Sequence, residues 1–310
     1  LARRVLLVTL DGLRLDTSRR MSFLNQLRQQ GADGIAIVAQ PSLSNPGRAV
    51  MATGASAGVH GITTNFATQR IEVDSIFSLA HAAGLRAATA GSPFWYRSFA
   101  PHVDELLRPS EEPLSRAAAD LHEWQKRTCP EALDFVRRTK FDLLALDVNL
   151  SAGDILSHDL GPSSPETTAM YTAMDQCLSE VAASQDLRHA VLIVTSDHGH
   201  IDAGGHGGSE PEVTTVPLVL AGGPIRPGSR VQARQQDVAP TICALLGLPL
   251  PSTSEGKILL GALQLEPAVK RGLVTRLESQ QHKLSVYRTA LLGGTADEAA
   301  RLARRSRNAL

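Results

Sequence analysis

An α/β fold is what this sequence predicts, and two observations predict it. Short apolar runs rich in β-branched residues, such as Val5-Leu-Leu-Val and Val191-Leu-Ile-Val, recur along the chain. Between them lie longer stretches with apolar residues at helical spacing, and such alternation belongs to a mostly parallel sheet covered by helices. The 310 residues, 43% of them hydrophobic, can bury a large core as one domain or two.

Arg4 to Leu10 reads as a buried strand closed by Asp11 and Gly12. Ser18 to Gln30 places Met21, Leu24 and Leu27 at helical spacing and stops at Gly31. Gly34 to Gln40 is a second strand. Pro41 to Arg48, then the small apolar Ala49 to Gly54, reads as a strand, a tight turn and a helix. That context exposes a hydroxyl at a helix N-terminus, where free N–H groups favour an anion, and Ser42, Ser44 and Ser56 are the candidates. His60 to Asn65 is a loop, Val73 to Ala83 a helix and Leu85 to Gly91 a strand. Ser92 to Phe99 concentrates the scarce aromatic residues, as a pocket wall or a satellite core. His102 to Glu105 and Ser110 to Pro113 read as loops. Leu114 to Arg138 is amphipathic and reads as two helices, because Pro130 interrupts it. Phe141 to Val148 is a strand, Thr167 to Ala183 a helix, Val191 to Ser196 a strand, and Thr214 to Gly223 another. Gln236 to Gly247 is a capped helix, and Val274 to Leu310 a polar helical tail with a basic end from Arg301 to Asn308.

Composition excludes several classes. Basic and acidic residues balance at 31 each, which argues against a dedicated nucleic-acid binder. Cys129, Cys177 and Cys243 are odd in number and scattered, so no disulfide framework is expected. No apolar run reaches the roughly eighteen residues of a membrane span. The chain begins at Leu1 without Met, as expected of a processed or excised piece that has lost a signal peptide or anchor.

The residues that carry chemistry gather where strands end. Asp197, His198, His200 and His206 follow one apolar run, Asp11 closes another, and Asp154 with His158 lies beyond a third. In an open α/β sheet, ligands bind outside the carboxyl ends of the strands. Neutral imidazoles mixed with carboxylates suit zinc, whereas carboxylates alone suit magnesium. Asp11, Asp154, Asp197, His158, His198, His206 and the Ser44 hydroxyl furnish two coordination spheres with open positions. Two such ions can clamp the attacking and leaving oxygens of an in-line displacement at phosphorus. No general base is obvious beside Ser44.

These residues carry a resemblance. Leu10-Asp11-Gly12, Pro41-x-x-Ser44-x-Pro46-Gly47, Thr53-Gly54, His60-Gly61, Asn65, Asp154-x-x-x-His158-x-x-Gly161-Pro162, Ser196-Asp197-His198-Gly199 and Gly204-x-His206-Gly207 resemble, in order, the type I phosphodiesterase/nucleotide pyrophosphatase branch of the alkaline phosphatase superfamily. The resemblance implies a three-layer αβα sandwich with a mostly parallel sheet, residues 1–265 as the catalytic domain and 266–310 as the tail. It implies one metal held by Asp154, His158 and His206, and a second held by Asp11, Asp197 and His198. Both would most readily be zinc. It makes Ser44 the nucleophile, Asn65 a catalytic and substrate-binding amide, and Arg48 a substrate-binding cation near the phosphoryl group. His200 stands where the family usually has Met and is expected to be a harmless surface variant, with a substrate contact or a spare ligand as the alternatives. Asp74-Ser-Ile-Phe, Gly91-Ser-Pro and Asp237-Val-Ala-Pro are similar to the catalytic domain of GPI ethanolamine phosphate transferases, proteins that continue into membrane spans. The expected substrate is a small-molecule or lipid-linked phosphodiester, with no nucleic-acid partner. The expected location is exported, with a membrane reached through a segment absent from this chain. The expected activity is hydrolysis through a phosphoserine. Its alternatives are a phosphoethanolamine-type transferase, a sulfatase (Ser44-x-Pro46-x-Arg48 resembles that signature, though Gly12 replaces its second Asp) and a non-catalytic binding module.

Overall fold

The computed structural model describes residues 1–108, 115–148 and 151–291. The loop expected at Ser110 to Pro113, the start of the helix at Leu114 and the basic end from Arg301 to Asn308 lie outside the described residues. The strands are β1 (Arg4–Thr9), β2 (Ala32–Ile37), β3 (Ala87–Ala90), β4 (Glu105–Leu107), β5 (Leu143–Asp147), β6 (Ala190–Thr195), β7 (Thr215–Gly222) and β8 (Ser229–Arg234). They form one sheet in the order β4-β3-β5-β1-β6-β7-β2-β8. β7 runs antiparallel to β6 and β2, and the other described pairings are parallel.

Alternate side chains of the central strands enter opposite cores, as the two-residue period of a strand requires. Val5, Leu7, Leu143, Ala145, Val191 and Ile193 face one apolar cluster, together with side chains of helices Ser44–Thr53, Ile76–Ala82 and Val238–Leu246. Leu6, Val8, Leu144, Leu146, Leu192 and Val194 face the other, with helices Ser22–Gln30, Ala118–Arg138 and Pro165–Ala183. Both faces being covered, β1, β5 and β6 carry apolar residues on both faces rather than alternating, apart from Arg4 and the polar residues that close each strand. The architecture is the expected three-layer α/β sandwich. Leu273 and Leu277 of helix Pro267–Leu291 join the first cluster, so part of the tail packs on the core.

Several expectations need correction. The stretch with Pro130 is one helix, Ala118–Arg138. Pro130 is exposed, as is Lys126 four residues earlier, so water can serve the carbonyl left without its N–H partner. Cys129 and Cys177, read as unpaired, form a disulfide between helices Ala118–Arg138 and Pro165–Ala183, and Cys243 is free and buried. Of the two readings of Ser92 to Phe99 the core one holds: it is mostly helix Pro93–Phe99, and Phe94, Trp95 and Phe99 pack with Phe77 in the core. The edge strands β4 and β8 were not expected, since Ser229–Arg234 is polar and buries only Ala233 of its six side chains.

Candidate metal centre and nucleophile

Register places the site. Thr9 of β1 pairs with Asp147 of β5 on one side and Thr195 of β6 on the other, so the three strands end level. Beyond those ends the chain presents Asp11, Asp147 and Asp197-His198, at the carboxyl edge where α/β proteins bind ligands. Gly47 lets helix Ser44–Thr53 approach this edge closely, because a Cβ there would stand 2.9 Å from the Asp197 carbonyl oxygen. The helix begins at Ser44, whose Oγ lies 3.1 Å from His198 Nε2.

Both expected ligand trios come together. Asp11, Asp197 and His198 offer ligand atoms within 4.8 Å of one another, and so do Asp154, His158 and His206. The second trio draws on helix Ala152–Leu160 and on the loop after β6. His198 Nδ1 donates to the Gly199 carbonyl at 3.1 Å, and His206 Nδ1 donates to the Ser42 carbonyl at 3.0 Å. Each bond fixes a tautomer that leaves an unprotonated Nε2 facing inward, the arrangement a metal-binding imidazole needs. Asp11 Oδ1 is buried with no hydrogen-bond partner among the described residues. Among the described residues, Asp197 Oδ2 meets the Arg48 guanidinium alone, at 3.0 Å and off the hydrogen-bonding line. Buried carboxylate oxygens left this way are costly unless a cation completes them, so the donor set fits a divalent metal.

The electrostatics agree. Burial, then the neighbouring Asp11 carboxylate, pushes the Asp197 carboxyl well above the usual carboxylate range. Burial, then His206, lowers His198 to about 3. A neutral imidazole of that acidity is a better ligand than general base, whose pKa is best matched to the working pH. Burial opposes ionisation of Asp154, but the hydrogen bond from His200 and the surrounding imidazoles outweigh it and hold its carboxyl below the usual range.

The remaining expected residues fall in informative places. Asn65 is exposed; its Oδ1 accepts from Asn45 N at 2.9 Å and its backbone carbonyl accepts from Asn45 Nδ2. Asn65 Nδ2 is thereby left as a donor on a side chain held by Asn45, the residue that follows Ser44. Arg48, expected at the phosphoryl group, is 2% exposed beneath the carboxylates. Its Nη2 donates to Asp11 Oδ2 at 3.0 Å, Nη1 meets Asp197 Oδ2, and Nε lies 3.4 Å from Asp147 Oδ2. Committed to three carboxylates, the guanidinium has no free fork for a substrate. Ser42 Oγ donates to the Gly208 carbonyl and Ser56 Oγ to Glu255, which leaves Ser44 as the hydroxyl at the site.

Sequence reasoning misplaced one contributor and missed two. His200, expected on the surface, is fully buried, with Nε2 2.9 Å from Asp154 Oδ1. Ser151 Oγ donates to Asp11 Oδ2, and Tyr171 Oη donates to the Asp11 carbonyl, both at 2.9 Å. The His200-to-His206 spacing was visible, but nothing in it showed which way His200 points.

A family model described as type I phosphodiesterase/nucleotide pyrophosphatase matches residues 5–208. The human GPI ethanolamine phosphate transferase 2 catalytic subunit is 27% identical over 285 residues, covering 85% of this chain and 28% of its own length. The chain therefore spans under a third of that relative. Alkaline phosphatase PafA superposes with a TM-score of 0.67 at 11% identity, covering 84% of this chain and 99% of its own. A sulfatase-like protein of Bacteroides thetaiotaomicron superposes with a TM-score of 0.68 at 14% identity, covering 85% and 75%. The fold is thus alkaline phosphatase-like, and it does not by itself choose between phosphate and sulfate esters.

Proposed function

The chain belongs to the type I phosphodiesterase/nucleotide pyrophosphatase family, and from that premise we propose that it cleaves phosphodiester or pyrophosphate bonds through a phosphoserine on Ser44. One observation carries the reading: Ser44 Oγ sits 3.1 Å from His198 Nε2 at the start of a helix, against the two carboxylate–imidazole trios. Asp154, His158 and His206 would hold one divalent ion, and Asp11, Asp197 and His198 the other. Zinc is favoured by the imidazole share. Such ions supply positive charge that makes the Ser44 hydroxyl acidic and screens the phosphoryl group.

Ser44 Oγ attacks phosphorus, loses its proton to solvent, and displaces the leaving-group oxygen, which takes a proton from water. Water then displaces Ser44 from phosphorus, releasing the phosphomonoester and returning the hydroxyl. Asn65 Nδ2 donates to a nonbridging oxygen as its charge grows. Arg48 holds Asp11 and Asp197 in place from below.

A second reading, transfer of phosphoethanolamine to a hydroxyl acceptor of a lipid-linked substrate, draws support from the name of the human relative. It shares the first half-reaction and differs in the acceptor. The sulfatase reading is disfavoured at Gly12, where a Cβ would stand 2.7 Å from His200 Nε2 and 3.0 Å from Asp154 Oδ1, at a φ of +69°. A second Asp does not fit there. A binding module without catalysis is disfavoured because nucleophile and both trios are intact. No helix among the described residues is long and apolar enough to cross a membrane. The Cys129–Cys177 bridge favours an oxidising, exported location.

The test is metal content by mass spectrometry together with turnover of a p-nitrophenyl phosphodiester, for wild type and Ser44→Ala. About two zinc ions per chain and loss of turnover in the variant are expected. One calcium per chain, or a variant as active as wild type, would overturn the reading. Added alcohol that appears in the product at the expense of water identifies the transferase form.

A further inference from the structure

His200 is the one imidazole of the cluster outside the two trios, although its ligand atom also lies within 4.8 Å of those of Asp154 and His198. Its ring is fully buried and packs edge-on against His158, His198 and His206, with centroids 4.8, 5.6 and 5.2 Å away. Both ring nitrogens are engaged. Gly205 N donates to Nδ1 at 3.0 Å, so Nδ1 is an acceptor and the proton of the neutral ring resides on Nε2. That N–H points at Asp154 Oδ1, 2.9 Å away. The other imidazoles stand farther from the same oxygen, His206 Nε2 at 3.7 Å and His158 Nε2 at 3.8 Å. Gly12 makes the room, since any Cβ there would collide with His200 Nε2.

Resting on the two-metal reading, we propose that His200 is a positioning residue for the metal held by Asp154, His158 and His206. It links helix Ala152–Leu160 to the loop that carries His206. Its Nε2–H fixes the rotation of the Asp154 carboxylate, and its Nδ1 fixes the backbone at Gly205, the residue before His206. Two of three ligands are therefore oriented by one ring. A protonated Nε2 cannot also bind the metal, so His200 acts through its hydrogen bonds and not as a ligand. Outer partners of this kind typically change metal affinity by about 10- to 100-fold.

Two variants test this. His200→Met fills the space with a side chain that cannot donate, and His200→Gln returns an N–H donor toward Asp154. Zinc affinity is measured by chelator competition on the full chain, and the ligand set by X-ray absorption. The proposal expects wild type and His200→Gln to bind two zinc ions with similar affinity. In His200→Met it expects one of the two to weaken by about 10- to 100-fold with an unchanged number of imidazoles around zinc. Equal affinity in all three proteins would overturn it. So would a His200→Gln chain that loses one imidazole ligand, which would make His200 a ligand. A wild type that binds no zinc would overturn the two-metal reading and this inference with it, a failure distinct from the other two.

Discussion

His60 shows what a single residue can hide in a motif. Its pairing with Gly61 resembles a family signature, yet the structure buries the ring at 4% exposure. There Nδ1 accepts from Ile62 N at 3.1 Å and Nε2 has no partner among the described residues. Burial lowers His60 to about 4. The unfolded chain, with an ordinary pKa near 6.5, binds the proton first as pH falls. Stability from this residue is therefore full above about pH 6.5 and is lost progressively down toward pH 4. Between pH 7.5 and 4.5, urea unfolding of wild type should lose about 2 kcal/mol more than that of His60→Asn. Asn Oδ1 can keep the bond from Ile62 N, and groups common to both proteins cancel in the comparison. Parallel pH profiles would refute the assignment. The same limit applied to Arg48 and His200. Their identities were plain in the sequence, but the direction of each side chain is set by elements far away in the chain. His200 meets Asp154 across 46 positions and Arg48 meets Asp197 across 149. The candidates Asp11, Asp197, His198 and His206 could be singled out because they follow apolar strand runs, Asp154 and His158 because they stand four apart on one helix, and Ser44 because it opens another.

At the scale of elements, apolar periodicity located β1, β5 and β6 and the helices over them, because buried strands and amphipathic helices write their environment into residue type. It failed at the edges. β8 is half exposed and reads as loop, and nothing in Thr215–Gly222 announces that β7 runs antiparallel, since its six central residues are buried on both faces whatever the strand direction. It failed also for helix pairing. Cysteines 48 positions apart carry no local signal, and only the packing of helix Ala118–Arg138 beside Pro165–Ala183 brings them together. Cross-linking a loop of that length restrains the unfolded chain, and bridges of this kind typically contribute about 2–4 kcal/mol. The double substitution Cys129→Ala with Cys177→Ala should lower the unfolding free energy by about that amount, and reduction of wild type should lower it similarly. A urea midpoint that moves in neither case would show that the bridge contributes nothing to stability.

Across the whole molecule, one electrostatic imbalance connects fold, site and stability. The level ends of β5, β1 and β6 bring Asp147, Asp11 and Asp197 around the buried Arg48, and helix Ala152–Leu160 adds Asp154 to the same cluster beside the imidazoles. One guanidinium cannot offset four carboxylates in a poorly solvated interior, and the partnerless Asp11 Oδ1 marks where the deficit falls. Two divalent cations would reverse the sign of the cluster, so loading should stabilise the native state and not merely enable turnover. Ligands that bind only the folded chain add RT ln(1 + [L]/Kd), about 4 kcal/mol per site at a thousandfold excess over Kd. With both sites filled, that corresponds for a chain of this size to a rise in Tm of roughly ten degrees. Calorimetry of chelator-treated protein, before and after zinc is restored, should show that rise, and its absence in a chain carrying both Asp11→Asn and Asp154→Asn. Identical melting with and without zinc in wild type would mean that Arg48, Ser151 and the imidazoles already satisfy these carboxylates. The site would then be a hydrogen-bonded network rather than a metal centre.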